Sequence, residues 1–97
     1  MLKTQGMLHF SLAVTDLDRS RKFYEGVLNL KVVEQSPRMV FLQTGDDYLI
    51  LAKGDEPLKY DTNKSTPVHH AFKVKPDEFQ SSIDHLRQHG VEVFNIE

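Results

Sequence analysis

The stretch "LHFSLAV" at residues 8–14 alternates apolar side chains with small or polar ones. Every second residue is apolar, so these residues share one face of a predicted strand, and His9 lies on the opposite face. Sixty residues later, "VHHAFKV" at 68–74 repeats the pattern position for position and has His69 where the first copy has His9. A repeat of this kind predicts that the two stretches begin two related structural units.

The residues that follow the first copy predict a βαβββ module over residues 8–53. Thr15 and Asp18 have the spacing of a capping box. An amphipathic helix is predicted from about Leu17 to Leu28, and Asn29 is suited to end it because asparagine tolerates the left-handed conformation. Three short runs rich in β-branched and aromatic residues, separated by the turn pairs "SP" and "GD", predict strands at 30–35, 38–43 and 47–53.

The residues that follow the second copy predict a shorter unit of βαβ type over 68–97. Residues 54–67 contain two prolines, a glycine and many polar side chains, which predicts a linker. A helix is predicted from Pro76 to His89, followed by a strand at 91–96. The predicted fold class is therefore α+β, with paired βαβββ modules of which the second is incomplete, in a single domain over residues 1–97.

The composition and charge of the chain exclude several classes of function. The 97 residues carry a net charge of −2 with scattered lysines and arginines, which argues against nucleic acid as a partner. The chain has no cysteine, so disulfides and thiolate metal sites are excluded. No apolar run approaches the roughly 20 residues needed to span a bilayer, and the N-terminus lacks a signal-peptide pattern. We expect a cytoplasmic protein that does not act at a membrane.

The repeat gives His9 and His69 equivalent positions on the faces that the helices do not cover. If the two units pair around a pseudo-two-fold axis, these imidazoles converge, and two neutral imidazoles are a good beginning for a divalent-metal site. The alternative is two half-buried strand histidines bonded to backbone or water. Both interpretations are open from the residues alone.

For the other three histidines, the sequence favours structural roles over metal binding. His70 has the opposite parity to His69 and corresponds to Phe10, which predicts a packing or rim position. His85 and His89 have the i, i+4 spacing of a helical zinc site. They lie off the predicted apolar stripe of their helix and no nearby carboxylate pattern completes a site, so a solvated helix face is the favoured interpretation.

The pieces "HFSLAVTDLDRSRKFYEGVLNLKVVE" (9–34) and "VHHAFKV" (68–74) resemble the vicinal oxygen chelate superfamily, which includes glyoxalases, bleomycin-resistance proteins and extradiol dioxygenases. The first piece resembles the family's opening strand, its "D-L-x-x-S-x-x-F-Y" helix and its "L-G-x-x-V" turn, with Asn29 in place of the usual glycine. The second resembles its "H-x-A-F-x-V" strand. The likeness runs from about Leu8 to Ile96 and is more specific for the fold than for the activity.

The resemblance implies a metal centre held by His9 and His69. The family's third ligand, a Glu near the end of the last strand, is expected beyond Glu97. Some members add an acid on the fourth strand, but no acid stands near Ile50, which weakens a glyoxalase I assignment. The metal is expected to be a divalent ion such as Fe, Mn, Ni or Zn.

Four residues are candidates for lining a cavity on the concave, helix-free side of the sheet: Ser11, Phe41, Tyr48 and Ile50. Ordinary strand core would explain the apolar members of this set equally well.

The first functional hypothesis is a metal-dependent enzyme, dioxygenase-like or fosfomycin-resistance-like, that acts on a small molecule with vicinal oxygens. The metal would serve as a Lewis acid or oxygen activator. One alternative is a metal-free protein of the bleomycin-resistance type that sequesters a small molecule, and another is a truncated inactive domain. We expect a homodimer, because an open sheet edge and a bare concave face favour association.

Overall fold

The computed structural model describes residues 1–55 and 69–94. The chain divides into two compact units, Met1–Lys59 and Tyr60–Glu97. The boundary between them falls inside the predicted linker 54–67, most of which lies outside the described residues. In the described part of the chain, no helix has the length and apolar character needed to cross a bilayer.

The first unit contains a four-stranded mixed sheet. Strand β1 (His9–Val14) leads into helix α1 (Leu17–Lys22), and three strands follow: β2 (Lys31–Ser36), β3 (Met39–Thr44) and β4 (Asp47–Lys53). The order across the sheet is β1-β4-β3-β2, with β1 parallel to β4 and the other two pairs antiparallel. The predicted βαβββ order is confirmed, and the fold is of the predicted α+β class.

Helix α1 begins at Leu17, as predicted, but its capping residue differs from the predicted one. The side chain of Asp16, not Thr15, is the N-cap, and it accepts a hydrogen bond of 3.0 Å from the backbone N–H of Arg19. The predicted pairing of Thr15 with Asp18 is therefore wrong, since an aspartate beside the threonine offers a carboxylate acceptor to the first turn. The negative charge of Asp16 also interacts favourably with the positive end of the helix dipole.

The helix changes its winding after Lys22. Phe23–Val27 is a π-helical segment, in which the N–H of Leu28 donates to the carbonyl of Phe23 at 3.2 Å. This wider turn alters the helical phase, so Tyr24 packs on the core while Phe23 stays 37% exposed, edge-on to the Tyr24 ring. Phe23 therefore does not belong to the core, although it lies within the predicted amphipathic helix.

Asn29 ends the helix as predicted. It adopts φ 60°, the left-handed conformation that asparagine tolerates better than other side-chain-bearing residues. The next N–H, that of Leu30, donates to the carbonyl of Tyr24 at 3.0 Å and so closes the helix end. Leu30 is thereby turned into the core, where its side chain is 7% exposed.

The core of the first unit lies between α1 and the sheet. Its buried members come from the helix, the helix exit and the two central strands: Leu17, Leu30, Val40, Leu42, Leu49 and Leu51. Phe10, Leu12 and Val14 of β1 pack against this cluster, which confirms the predicted parity of that strand. The two central strands supply four fully buried side chains because each has a neighbouring strand on both sides.

The described residues of the second unit contain one α-helix. A 3-10 turn (Pro76–Glu78) opens helix α2 (Phe79–Gln88), and Gly90 follows with φ 77°. Proline at the first position suits the start, and a left-handed glycine suits the end. Ile83 is the buried residue of α2.

The two strands predicted in the second unit do not form within its described residues. Among the described residues of this unit, 69–74 and 91–94 have no strand assignment. The other positions of the predicted ranges, 68 and 95–96, lie outside the described residues. Alternation predicts which side chains share a face, but a strand exists only when a neighbour accepts and donates its backbone hydrogen bonds. The arrangement of two modules in one domain therefore remains a prediction.

Candidate functional site

The sheet of the first unit has one face that α1 does not cover, here called the helix-free face. Residues paired in register share a face, so the alternation of β1 carries across all four strands. One row of the helix-free face runs from Ser11 through Ile50 and Phe41 to Glu34. The adjacent row runs from His9 through Tyr48 and Gln43 to Lys31.

A bulge in β2 determines which side chain completes the first row. The register between β2 and β3 shifts at Val33, so that Val32 pairs with Leu42 and Glu34 with Phe41. A bulge places two residues of one strand opposite one residue of its partner. As a result, Glu34 points to the same face of the sheet as Phe41. Glu34 is thereby the one carboxylate among the strand residues on the helix-free face of the described sheet.

His9 lies at the start of β1, at one edge of the described sheet, with an exposed side chain. Its register partner is Tyr48 of β4, so the imidazole and the phenol ring leave the sheet on the same side from adjacent strands. The exposure of His9 follows from parity, since Phe10 takes the position that faces the core. His9 is therefore available to a ligand from the helix-free side.

The four predicted cavity-lining residues all lie on the helix-free face. Ser11, Ile50 and Phe41 are consecutive in one row, and Tyr48 is in the next. Ile50 is 9% exposed, although it belongs to the face away from α1. The sheet thus brings the four together, and their role in lining a cavity remains a prediction.

His69 lies in the second unit, with an exposed side chain. Its neighbour His70 is also exposed. Because residues 69–74 form no strand, parity assigns neither histidine to a sheet face there. The convergence of His9 with His69, and the rim role of His70, stay predictions from the repeat.

The side chains on the helix-free face provide some, but not all, of the ligands that a divalent metal needs. His9 offers one imidazole, a suitable ligand for Mn, Fe, Ni or Zn. Glu34 is three strands away from β1, or about 14 Å at the usual strand spacing, and cannot share a metal with His9. Among residues 1–55 and 69–94, no three His, Cys, Asp or Glu side chains are grouped to hold a metal ion. A site centred on His9 needs ligands from outside this sheet.

A concavity of about 400 Å³ lies at the start of α1, and sequence reasoning did not identify it. Its wall combines the β1–α1 connection, the end of β2 and the end of β4: Thr15, Asp16, Leu17, Asp18, Gln35, Ser36, Pro37 and Lys53. The Asp16 carboxylate is already used by the backbone of α1. No spacing in the sequence pairs these segments, because the sheet order alone brings the ends of β2 and β4 to this corner.

Known proteins share both the sequence pattern and the fold. The family model described as the glyoxalase/bleomycin resistance protein/dioxygenase superfamily matches residues 6–96. The glutathione transferase FosA of Serratia marcescens is 28% identical over 90 residues, which cover 93% of this chain and 64% of that protein. The chain therefore spans about two thirds of the length of this relative.

Two solved structures show the likeness of the fold. The fosfomycin resistance protein FosX of Listeria monocytogenes, crystallised with Mn(II) and sulfate, superposes with a TM-score of 0.76 at 21% identity, covering 98% of this chain and 72% of that one. Lactoylglutathione lyase from Agrobacterium tumefaciens superposes with a TM-score of 0.73 at 22% identity, covering 98% and 77%. Together with the family match over nearly the whole chain, these similarities show that the protein belongs to the glyoxalase/bleomycin resistance protein/dioxygenase superfamily.

Proposed function

We propose that this chain is part of a metal-dependent enzyme of the fosfomycin-resistance kind, acting on a small molecule with neighbouring oxygens. The position of His9 carries the proposal: its imidazole is exposed on the helix-free face, in register with Tyr48 and beside the row of Ser11 and Ile50. The similarity to FosA and the Mn(II) bound by FosX support the choice of reaction class and metal.

In this proposal His9 and His69 hold a divalent metal, and a glutamate outside the 97 residues completes the ligand set. The glutamate would belong to the part of the relatives that this chain does not match, since the match covers 64% of FosA. When bound, such an ion supplies Lewis-acid polarisation of substrate oxygens. We propose manganese as the metal, with fosfomycin as the first substrate to test.

The residues of this chain would bind and orient the substrate. Phe41 and Ile50 provide an apolar floor that excludes water from the reacting group. The hydroxyls of Ser11 and Tyr48 stand at the two positions nearest His9 on this face, where they can donate hydrogen bonds to a substrate oxygen. This division, with an apolar floor and a few polar groups at one side, is typical of small-molecule sites.

The test is a calorimetric titration of Mn²⁺ into the 97-residue protein and three histidine variants. His9→Ala and His69→Ala should each weaken binding by tenfold or more, about 1.4 kcal/mol or above, because a ligand is removed. His70→Ala is the matched control, adjacent in sequence but of opposite parity, and should leave the affinity unchanged. Undiminished Mn²⁺ binding in both His9→Ala and His69→Ala would overturn the proposal.

The apolar character of the helix-free face favours a second candidate, a metal-free binder of small molecules. Phe41, Tyr48 and Ile50 form a contiguous patch across the two central strands. In this case calorimetry in the presence of a chelator would still detect fosfomycin binding. Phe41→Ala and Tyr48→Ala would weaken that binding, whereas His9→Ala and His69→Ala would not.

A further inference from the structure

The last turn of α2 carries a second pair of histidines. His85 and His89 are one helical turn apart, and their ring centroids lie 4.4 Å from each other with the ring planes tilted by 42°. His85 is half-buried and His89 is exposed at the end of the helix. The two imidazoles are thus already in contact on one side of the second unit.

The hydrogen bonding of His89 determines which of its nitrogens can bind a metal. Its Nδ1 lies 2.9 Å from the carbonyl oxygen of His85. A carbonyl oxygen can only accept, so Nδ1 carries the proton and donates it. In the neutral ring this leaves the lone pair on Nε2, and the backbone bond fixes the ring orientation in the way that metal-binding histidines are commonly held.

The ring separation suits two adjacent ligands of a tetragonal metal. With metal–nitrogen bonds of about 2.0 Å and a right angle between them, the imidazole centroids stand about 4.5 Å apart. Cu²⁺ and Ni²⁺ prefer this geometry with nitrogen ligands, and Cu²⁺ binds most strongly of the first-row divalent ions. A wider, tetrahedral angle would require the rings to separate.

We propose that His85 and His89 form a two-imidazole chelate site for Cu²⁺, with water in the remaining positions. The site uses neither His9 nor His69 as a ligand and does not depend on the proposed function. The end of α2 favours a bound cation, because the last carbonyls of a helix carry partial negative charge. Binding would also join two residues of the last turn and so resist fraying of the helix.

The test uses the full chain with His9→Ala and His69→Ala, so that the ligands proposed for Mn²⁺ are absent. Cu²⁺ titrated into this double variant should bind, with an electron paramagnetic resonance spectrum showing coupling to two imidazole nitrogens. Adding His85→Ala or His89→Asn should lower the Cu²⁺ affinity by about tenfold or more, since the chelate gain from the second ring is lost. Asn at position 89 retains a donor for the carbonyl of His85, and circular dichroism checks that α2 persists.

A second measurement keeps the proposal testable if a variant unfolds. In the double variant, substoichiometric Cu²⁺ should broaden the amide NMR signals of residues 82–90 before all others, because Cu²⁺ is paramagnetic. His70→Ala is the control and should leave both the broadening pattern and the affinity unchanged. The proposal is overturned if Cu²⁺ affinity is the same with and without His85 and His89, or if broadening begins elsewhere.

Discussion

The two copies of the internal repeat differ in secondary structure. Residues 9–14 form β1, paired along their whole length with β4, whereas residues 69–74, with the same alternation, form no strand. Leu12 packs on the core, but its repeat counterpart Phe72 is 40% exposed. The alternation therefore specifies which side chains share a face, whereas a strand also needs a neighbouring strand to pair with.

Hydrogen exchange should show the largest difference between the two copies of the repeat. The amides of Leu49 and Leu51 lie in a strand with neighbours on both sides, so they should exchange only on global unfolding. The amides of Phe72 and Val74 should exchange faster by about 10³-fold or more, which corresponds to about 4 kcal/mol. Exchange of the two pairs at similar rates, measured by NMR, would show that 69–74 is paired in solution.

Truncating apolar side chains in the two regions should have unequal effects on stability. Leu51→Ala removes a side chain with 0% exposure and should lower the free energy of unfolding by about 2–5 kcal/mol. Phe72→Ala removes a larger side chain that is already exposed and should cost less than about 1 kcal/mol. Urea denaturation measures both, and an equal loss would contradict the difference in packing between the two regions.

The N-termini of the two helices, α1 in the first unit and α2 in the second, also differ. Asp16 caps α1 with a side-chain hydrogen bond, whereas no side chain caps α2. Asp16→Ala should destabilise the first unit by about 1 kcal/mol. Thr15→Ala is the matched control and should change stability little, because Thr15 is not the N-cap. The opposite ranking in thermal denaturation would restore Thr15 as the capping residue.

The smallest expected effect concerns the surface of α1. Arg21 and Glu25 form an exposed i, i+4 ion pair at 3.4 Å, and Arg21 also bonds to Gln35 of β2. Glu25→Gln should cost about 0.3–0.5 kcal/mol at low salt, and the loss should shrink in high salt as the charges are screened. A salt-independent loss would assign the effect to helix packing instead of charge.

Much of the first unit was predictable because its signals are local. The alternation of β1, the helix stop at Asn29 and the turn at Gly45 each depend on residues adjacent in sequence, and the strand limits agree within one residue. The start and winding of α1 were less predictable. Asp16 rather than Thr15 caps the helix, and the π-helical segment turns Phe23 outward. Neither outcome can be read from the residue pattern.

For the candidate site, sequence parity correctly placed His9 on the face opposite the core. Strand order could not be derived in this way. The parallel pairing of β1 with β4 brings Tyr48 beside His9, and the bulge at Val33 turns Glu34 to the same face. The contact between the rings of His85 and His89 likewise depends on their rotamers, although the i, i+4 spacing was evident.

The periodicities can be read from the sequence alone. They show which residues of β1 face the core, where a helix follows, and that two distant histidines occupy equivalent repeat positions. Three features depend on the tertiary structure: which strand lies next to β1, which residues share the helix-free face, and the lack of a strand at 69–74. The physical reason is that side-chain direction follows from the local backbone period, whereas a backbone hydrogen bond between strands needs a partner that the local sequence does not contain.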